Sequence, residues 1–121
     1  MVTMQDLNTA IGAHAMWKLR LANAIANGTS EFVPERVEPD NLCDFGKWLY
    51  GLSVSERNSD QWKKVQALHA AFHKEASQIL RLALRNQKAE AQKRMDYGGS
   101  FAKASTDLTL AMMDWKKTLG S

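Results

Sequence analysis

The sequence predicts an all-α fold of the antiparallel four-helix-bundle type, with an additional short helix that carries a cysteine. The chain has 121 residues, of which only seven are glycine and two are proline, and 45% are hydrophobic. Apolar residues recur at helical spacing in three long segments, and no segment alternates between apolar and polar residues as a half-buried strand does. Because a chain of this length can bury a core, we expect residues 1–121 to form a single domain.

The first helix is predicted from about Met4 to Asn27. Its core-facing positions repeat with the a/d spacing of packed helices. These positions are Leu7, Ile11, His14, Lys18, Leu21 and Ile25. Asn27-Gly28 is a typical helix stop signal. The segment Thr29–Pro39 contains both prolines and is predicted to be a connector.

A short helix is predicted over Asn41–Tyr50. Asp40 is a suitable N-cap residue for it, because its side-chain oxygen can accept a hydrogen bond from a free backbone N–H of the first turn. Gly51 is expected to end the helix. The polar segment Leu52–Asn58 is predicted to be a loop.

The longest helix is predicted from about Gln61 to Arg85, with Ser59 or Asp60 as its cap. Its apolar stripe consists of Trp62, Val65, His69, Phe72, His73, Ala76, Leu80 and Ala83. The polar segment Asn86–Met95 is expected to continue as helix after a kink near Asn86.

The last helix is predicted from about Ser100 to Leu119, after the break at Tyr97-Gly98-Gly99. Its stripe consists of Phe101, Ser105, Leu108, Met112, Trp115 and Leu119. Three long amphipathic helices with shorter ones between them are typical of a helical bundle.

Charge and cysteine content narrow the partners that we expect. The net charge of +3 is spread along the chain, which is typical of solvated helix faces, so we expect no nucleic-acid partner. No apolar run is long enough to span a bilayer, so we expect no membrane contact. A single cysteine cannot form an intramolecular disulfide and suits a reducing compartment, which favours a cytoplasmic location.

The three histidines and the one cysteine of the chain form a pattern that suits a metal. His69 and His73 are four residues apart and lie on one helix face. His14 interrupts the stripe of the first helix, and Cys43 lies on the short helix. Three imidazoles and one thiolate are the donor set of a tetrahedral Zn²⁺ site. The alternative is that the histidines are hydrogen-bonded core residues and Cys43 is a small buried hydrophobe.

The same pattern argues against an enzyme. A closed set of four protein ligands leaves no coordination position for a water molecule, and no H-E-x-x-H sequence is present. Di-iron bundles use Glu-x-x-His pairs, and no glutamate lies three residues before any histidine. Ligation requires deprotonated donors, so zinc affinity is expected to fall as the pH drops through the histidine range near about 6.5.

Three segments resemble the chemoreceptor zinc-binding domain of bacterial signalling proteins. They are Ala13-His14 with Trp17-Lys18, the run Leu42-Cys43-Asp44-Phe45-Gly46-Lys47-Trp48-Leu49-Tyr50-Gly51, and His69 to His73 with Phe72. The C-x-F-G-x-W-L sequence is the most specific of these, and the resemblance extends from about Leu7 to Leu119. In this order His14, Cys43, His69 and His73 match the ligands of that family.

The resemblance implies a homodimeric helical bundle that binds zinc through these four residues. Members regulate chemotaxis receptors or accompany the diguanylate cyclases of cyclic-di-GMP signalling, and their zinc-bound cysteine is linked to sensing oxidants such as hypochlorous acid. The alternative is a dimerisation module in which zinc only staples the fold.

The chain departs from many receptor-type members at Ala13, where they have an aspartate next to the first ligand. The hydrogen-bond partner of His14 could instead be Asp44, Glu75 or a backbone carbonyl. Gly46 lies one turn after Cys43, where the absence of a side chain would allow a close approach to a neighbouring segment.

Overall fold

The computed structural model describes residues 2–119 and contains only helices, turns and irregular segments in that range. The helices are α1 (Met4–Asn27), α2 (Pro34–Val37), α3 (Asp44–Tyr50), α4 (Val54–Arg57), α5 (Asp60–Leu84), α6 (Lys88–Met95) and α7 (Ser100–Leu119). The prediction of an all-α bundle with additional short helices is confirmed. Met1, Gly120 and Ser121, which the sequence analysis included in the single domain, lie outside the described residues.

The first helix has the bounds that the sequence predicts. The Thr3 side chain accepts a hydrogen bond from the backbone N–H of Asp6, and the Asp6 carboxylate accepts one from the backbone N–H of Thr3. This reciprocal pair satisfies two N–H groups that otherwise have no partner at a helix start. At the other end Gly28 has a φ of 70°, the left-handed conformation that ends many helices.

Helices α1 and α5 run in the same direction. At one end the backbone N–H of Val2 donates to Oε2 of Glu56, just before α5, at 3.1 Å. At the other end Nζ of Lys88, just after α5, donates to the carbonyl oxygen of Ala26 at 3.1 Å. Two parallel helices need a connection that returns along the whole bundle, and residues 28–59 make that return.

Helix α7 runs antiparallel to α1 and α5. Its C-terminal Lys116 donates from Nζ to Oδ1 of Asn8 near the start of α1 at 2.6 Å. Near its own start, the ring of Phe101 packs on Phe72 of α5 with ring centroids 5.2 Å apart. The largest fully buried apolar side chains of the described residues are Phe72, Leu7, Leu21, Leu49, Ile79, Leu80, Leu108, Met112 and Val65.

The returning connection contains two four-residue helices that the sequence analysis assigned to irregular segments. Helix α2 begins at Pro34, whose fixed φ suits the first helical turn. Helix α4 lies within the predicted loop 52–58, because Ser53 and Glu56 form a capping box. Both start signals are visible in the sequence, so the prediction of uninterrupted irregular structure was wrong at these two places.

The helix that follows Cys43 starts later than predicted. Its N-cap is Cys43 rather than Asp40, and Sγ of Cys43 accepts a hydrogen bond from the backbone N–H of Gly46 at 3.2 Å. Asp40 lies in the turn four residues before the helix begins, and its Oδ2 atom instead accepts a hydrogen bond from the hydroxyl of Tyr50 at 2.8 Å. The cysteine therefore lies at the start of the helix and not within it.

The second half of the chain follows the predicted elements closely. Ser59 caps α5 by accepting a hydrogen bond from the backbone N–H of Trp62 at 3.1 Å. The predicted kink near Asn86 is a reversal, since Asn86 has a φ of 58°. Helix α6 then packs back along α5, where Nη1 of Arg94 donates to Oε1 of Glu75 at 3.1 Å.

Among residues 2–119 no helix combines the length and the apolar character needed to cross a bilayer.

The close contact at Gly46 yields a stability prediction. A Cβ atom at this position would lie 1.9 Å from the backbone oxygen of Asp40, so Gly46→Ala must displace backbone. We expect the substitution to lower the free energy of unfolding by about 1–3 kcal/mol. Urea unfolding followed by circular dichroism measures the change.

Gly12→Ala is the matched control for this substitution. A Cβ atom at Gly12, in the middle of α1, meets no atom within 4 Å, so this change should raise the free energy of unfolding by up to about 1 kcal/mol. Equal stabilities for Gly46→Ala and the wild-type chain would contradict the packing of Gly46 against Asp40.

Candidate metal centre

The four residues selected from the sequence meet at one point in the structure. His14, Cys43, His69 and His73 each offer one ligand atom, and these atoms all lie within 4.8 Å of one another. His14 comes from α1, Cys43 from the start of α3, and the other two from α5. The histidines are almost completely buried, with exposed fractions of 7%, 0% and 2% for His14, His69 and His73. Cys43 is half-buried.

The distances within this cluster are close to those of a zinc site. Nε2 of His69 lies 3.0 Å from Nε2 of His73 and 3.4 Å from Sγ of Cys43. With tetrahedral geometry and usual Zn–N and Zn–S bond lengths, ligand atoms lie about 3.3–3.6 Å apart. These two distances are close to the separations that the ion requires, and all four donor atoms lie within 4.8 Å of one another.

Two backbone carbonyls determine which ring nitrogen faces the cluster. Nδ1 of His14 lies 2.9 Å from the carbonyl oxygen of Ala10, and Nδ1 of His73 lies 2.8 Å from that of Val37. A carbonyl oxygen can only accept a hydrogen bond, so each Nδ1 carries the proton. The Nε2 atom of each neutral ring then carries the lone pair, which is the form that a metal requires.

The third histidine is held differently. Nδ1 of His69 is buried and makes no hydrogen bond within the described residues. Oδ2 of Asp40 faces this nitrogen at 4.0 Å, beyond hydrogen-bonding distance. A buried polar atom without a partner is unusual in a protein core, so His69 is the least supported of the three rings.

Burial keeps the imidazoles in the form that a metal needs. Burial lowers the pKa of His14 to about 4 and that of His69 to about 2, and repulsion from the neighbouring imidazoles adds to both shifts. Burial also lowers the pKa of His73. All three rings are therefore neutral at pH 7, and the pKa values of His14 and His69 lie below the value near 6.5 expected from the sequence.

The pKa of the Cys43 thiol shifts in the opposite direction. Burial raises the pKa of Cys43 above its usual value, and the N–H group of Gly46 that points at Sγ opposes this only in part. Cys43 must therefore lose a proton when it becomes a metal ligand, whereas the imidazoles need not. A cation at the centre of the cluster would stabilise the thiolate.

Aromatic rings separate the cluster from solvent on two sides. The ring centroid of Phe45 lies 5.4 Å from that of His14 and 5.0 Å from that of His69. Phe72 packs against His14 from α5 with its ring centroid 5.2 Å away. The low dielectric of this surrounding strengthens the attraction between a bound cation and its ligands.

The hydrogen-bond partner of His14 is a backbone carbonyl, one of the three alternatives left open by the sequence. Asp44 is exposed, and Glu75 is engaged by Arg94, so neither carboxylate supports the ring. The sequence analysis did not identify Asp40 as a neighbour of His69. Its position three residues before Cys43 was the available signal, but it was interpreted as a helix cap.

The residues present fit a zinc ion. Three neutral imidazole nitrogens and one sulfur converge, and such a soft and borderline donor set favours zinc over magnesium or calcium. Four protein donors complete a tetrahedral shell, so the arrangement supports metal binding and does not offer an open position for activating a water molecule.

The comparison with known proteins agrees with this geometry. No curated protein and no solved structure matches the chain. The chemoreceptor zinc-binding domain family matches residues 14–80, which is more than half of the 121 residues. The matched range begins at His14 and includes Cys43 and the two histidines of α5. It is a family of regulatory zinc-binding domains and not a known enzyme family. The chain therefore belongs to the chemoreceptor zinc-binding domain family of signalling proteins.

Proposed function

We propose that the chain is a zinc-responsive regulatory module whose ligands are His14, Cys43, His69 and His73. The observation that carries this proposal is the convergence of four donor atoms within 4.8 Å, in a core where burial keeps the three imidazoles neutral. A bound zinc ion would join the connection between α1 and α5 (residues 28–59, the crossover) to both of these helices. The ligands are thus on segments that are far apart in the chain.

Cys43 is the ligand best placed to act as a switch. It lies on the crossover between α1 and α5, whereas the three histidines lie on long helices of the bundle. Its sulfur also accepts the N–H of Gly46 and so holds the first turn of α3. Loss of Cys43 as a ligand would free the segment 40–51 while the histidines remain on α1 and α5.

Oxidation offers a second way to release this ligand. A two-electron oxidant such as hypochlorous acid converts a thiolate to a sulfenic acid and is itself reduced to chloride. Cys43 is the only member of the cluster that is half-exposed, so an oxidant in solvent can reach its sulfur. The oxidised sulfur is a weaker donor, so oxidation of Cys43 and loss of zinc would have the same effect on α3.

A structural staple is the second candidate function. It would explain a site that joins distant segments, but the rest of the bundle favours the regulatory role. The fully buried residues Ile79, Leu80, Leu108 and Met112 lie on α5 and α7, and α7 contributes no donor to the cluster. This apolar core includes none of the four donors, so the folded state should survive zinc removal.

We further propose that the chain forms a homodimer in the cytoplasm and signals to a chemotaxis receptor or a cyclic-di-GMP enzyme. Large apolar side chains are exposed on α1 at Met16 and Leu19 and on α7 at Leu110 and Met113, which suits association of these helices with a second copy. The single cysteine suits a reducing compartment.

Native mass spectrometry tests the ligand assignment and the choice between switch and staple. We expect one zinc ion per chain in a dimer, lost on treatment with a tight chelator while dimer mass and helical circular dichroism remain. Cys43→Ala should abolish tight zinc binding because it removes the thiolate. Ser77→Ala, one turn beyond His73 and not a ligand, is the control. Unfolding together with zinc loss would support the staple instead.

Hydrogen exchange tests the release of α3. Zinc at about 100 times its dissociation constant should slow exchange of residues 40–51 by up to about 100-fold, since ligand binding stabilises the closed state by mass action. Exchange of residues 100–119 serves as the internal control and should not change. Equal rates in residues 40–51 with and without zinc would exclude this switch.

The pH dependence of zinc affinity follows from the pKa shifts. Between pH 7 and 8 the folded chain has neutral imidazoles and a protonated Cys43, so binding should release about one proton and affinity should rise about tenfold per pH unit. Competition with a chelator of known protonation constants measures the slope. A slope of two or three protons would show that the histidines titrate in this range.

A further inference from the structure

The three imidazoles of the cluster are not supported equally. His14 and His73 each have a backbone carbonyl at Nδ1, whereas Nδ1 of His69 has no hydrogen-bond partner within the described residues. His69 is also the central ring, since its Nε2 atom lies 3.0 Å from Nε2 of His73 and 3.4 Å from Sγ of Cys43. The ring with the most contacts in the cluster is therefore the one whose orientation is least determined.

The carboxylate of Asp40 is held in front of this unsupported nitrogen. Oδ2 of Asp40 lies 4.0 Å from Nδ1 of His69, and the Asp40 side chain is 18% exposed. The hydroxyl of Tyr50 donates to the same Oδ2 atom at 2.8 Å, and Nε2 of Gln66 donates to the Tyr50 hydroxyl at 3.0 Å. The carboxylate is thus fixed by α3 and α5 together.

The backbone of Asp40 is positioned as firmly as its side chain. Its carbonyl oxygen and the Cα of Gly46 approach so closely that no Cβ fits between them. This contact ties residue 40 to the helix that begins at Cys43.

The charge of the cluster gives this carboxylate a second role. A divalent cation held by one thiolate and three neutral imidazoles leaves a net charge of about +1 in a buried site. A buried charge is costly unless an opposite charge or hydrogen bonds compensate it. A carboxylate facing His69 from the outer side would bring the net charge of the group to zero.

We propose that Asp40 is the positioning residue of the metal centre. Its carboxylate orients the His69 ring through the Nδ1–H group, which directs the Nε2 lone pair into the cluster, and it balances the charge of the loaded site. This inference rests on the proposed zinc function, and it assigns the role to a residue that is not itself a ligand. Carboxylates that accept the outer N–H of a ligating histidine commonly contribute 10–100-fold to metal affinity.

Asp40→Asn is the variant that tests this role. The amide oxygen of asparagine can still accept the Tyr50 hydroxyl, but the negative charge is lost. We expect the zinc dissociation constant, measured by chelator competition, to increase about 10–100-fold. Tyr50→Phe keeps the charge and removes the group that holds the carboxylate, so its effect should have the same direction and a smaller size.

Asp44→Asn is the matched control. It removes the same charge from the residue next to Cys43, but Asp44 is exposed and is hydrogen-bonded to no histidine, so the dissociation constant should change less than about fivefold. Nitrogen NMR of the histidine rings gives a readout that general destabilisation would not produce. In the loaded Asp40→Asn variant the Nδ1–H signal of His69 should move to the range of weak hydrogen bonds, while those of His14 and His73 stay in place.

The outcomes separate this inference from the proposed function. Wild-type zinc binding is measured first, and its absence would refute the function. Tight wild-type binding with equal affinities for Asp40→Asn and Asp44→Asn would overturn the role of Asp40 alone. An unchanged His69 signal, or a loss of metal-free stability that accounts for the whole loss of affinity, would overturn it as well.

Discussion

The structure depends on the burial of three neutral imidazoles around one point. Charging any of these rings in the core is so unfavourable that His14 and His69 have strongly lowered pKa values. Two of the rings direct their protonated nitrogen outward to a carbonyl of the backbone, which leaves their Nε2 atoms as acceptors. Nδ1 of the third ring, His69, is buried without a hydrogen-bond partner within the described residues, and such an atom destabilises a fold. The same arrangement is favourable around a cation, which agrees with the membership of the chain in a zinc-binding family.

The path of the chain explains why the site lies where it does. Because α1 and α5 run parallel, residues 28–59 must return along the bundle, and they pass the histidines on the way. That segment contributes the sulfur of Cys43, the carbonyl of Val37 and the carboxylate of Asp40. Its helices are only four to seven residues long, and it is attached to the bundle by buried side chains such as Leu49 as well as by its contacts to the cluster.

Several parts of this structure are predictable from the sequence, and the reasons differ by residue. The bounds of α1 follow from helix periodicity and the Asn27-Gly28 stop, and the cluster follows from the chemistry of the only histidines and the only cysteine. The carbonyls of Ala10 and Val37 are different, because a backbone acceptor has no sequence signature. Asp40 was interpreted as a helix cap since local rules describe neighbours in sequence, whereas its partners Tyr50 and His69 are brought to it by the fold. Helices α2 and α4 were missed because four residues are too few to show a period.

The side chain of Cys43 combines two roles, since its sulfur caps α3 and is also one of the four donor atoms of the cluster. Serine, aspartate and asparagine are the preferred residues at an N-cap, so any of them could replace Cys43 and still cap the start of α3. An aspartate there would retain the cap and a negative charge while replacing a soft donor with a hard one. Related chains with the same backbone but a different residue at this position can therefore differ in the metal that they prefer and in their sensitivity to oxidation.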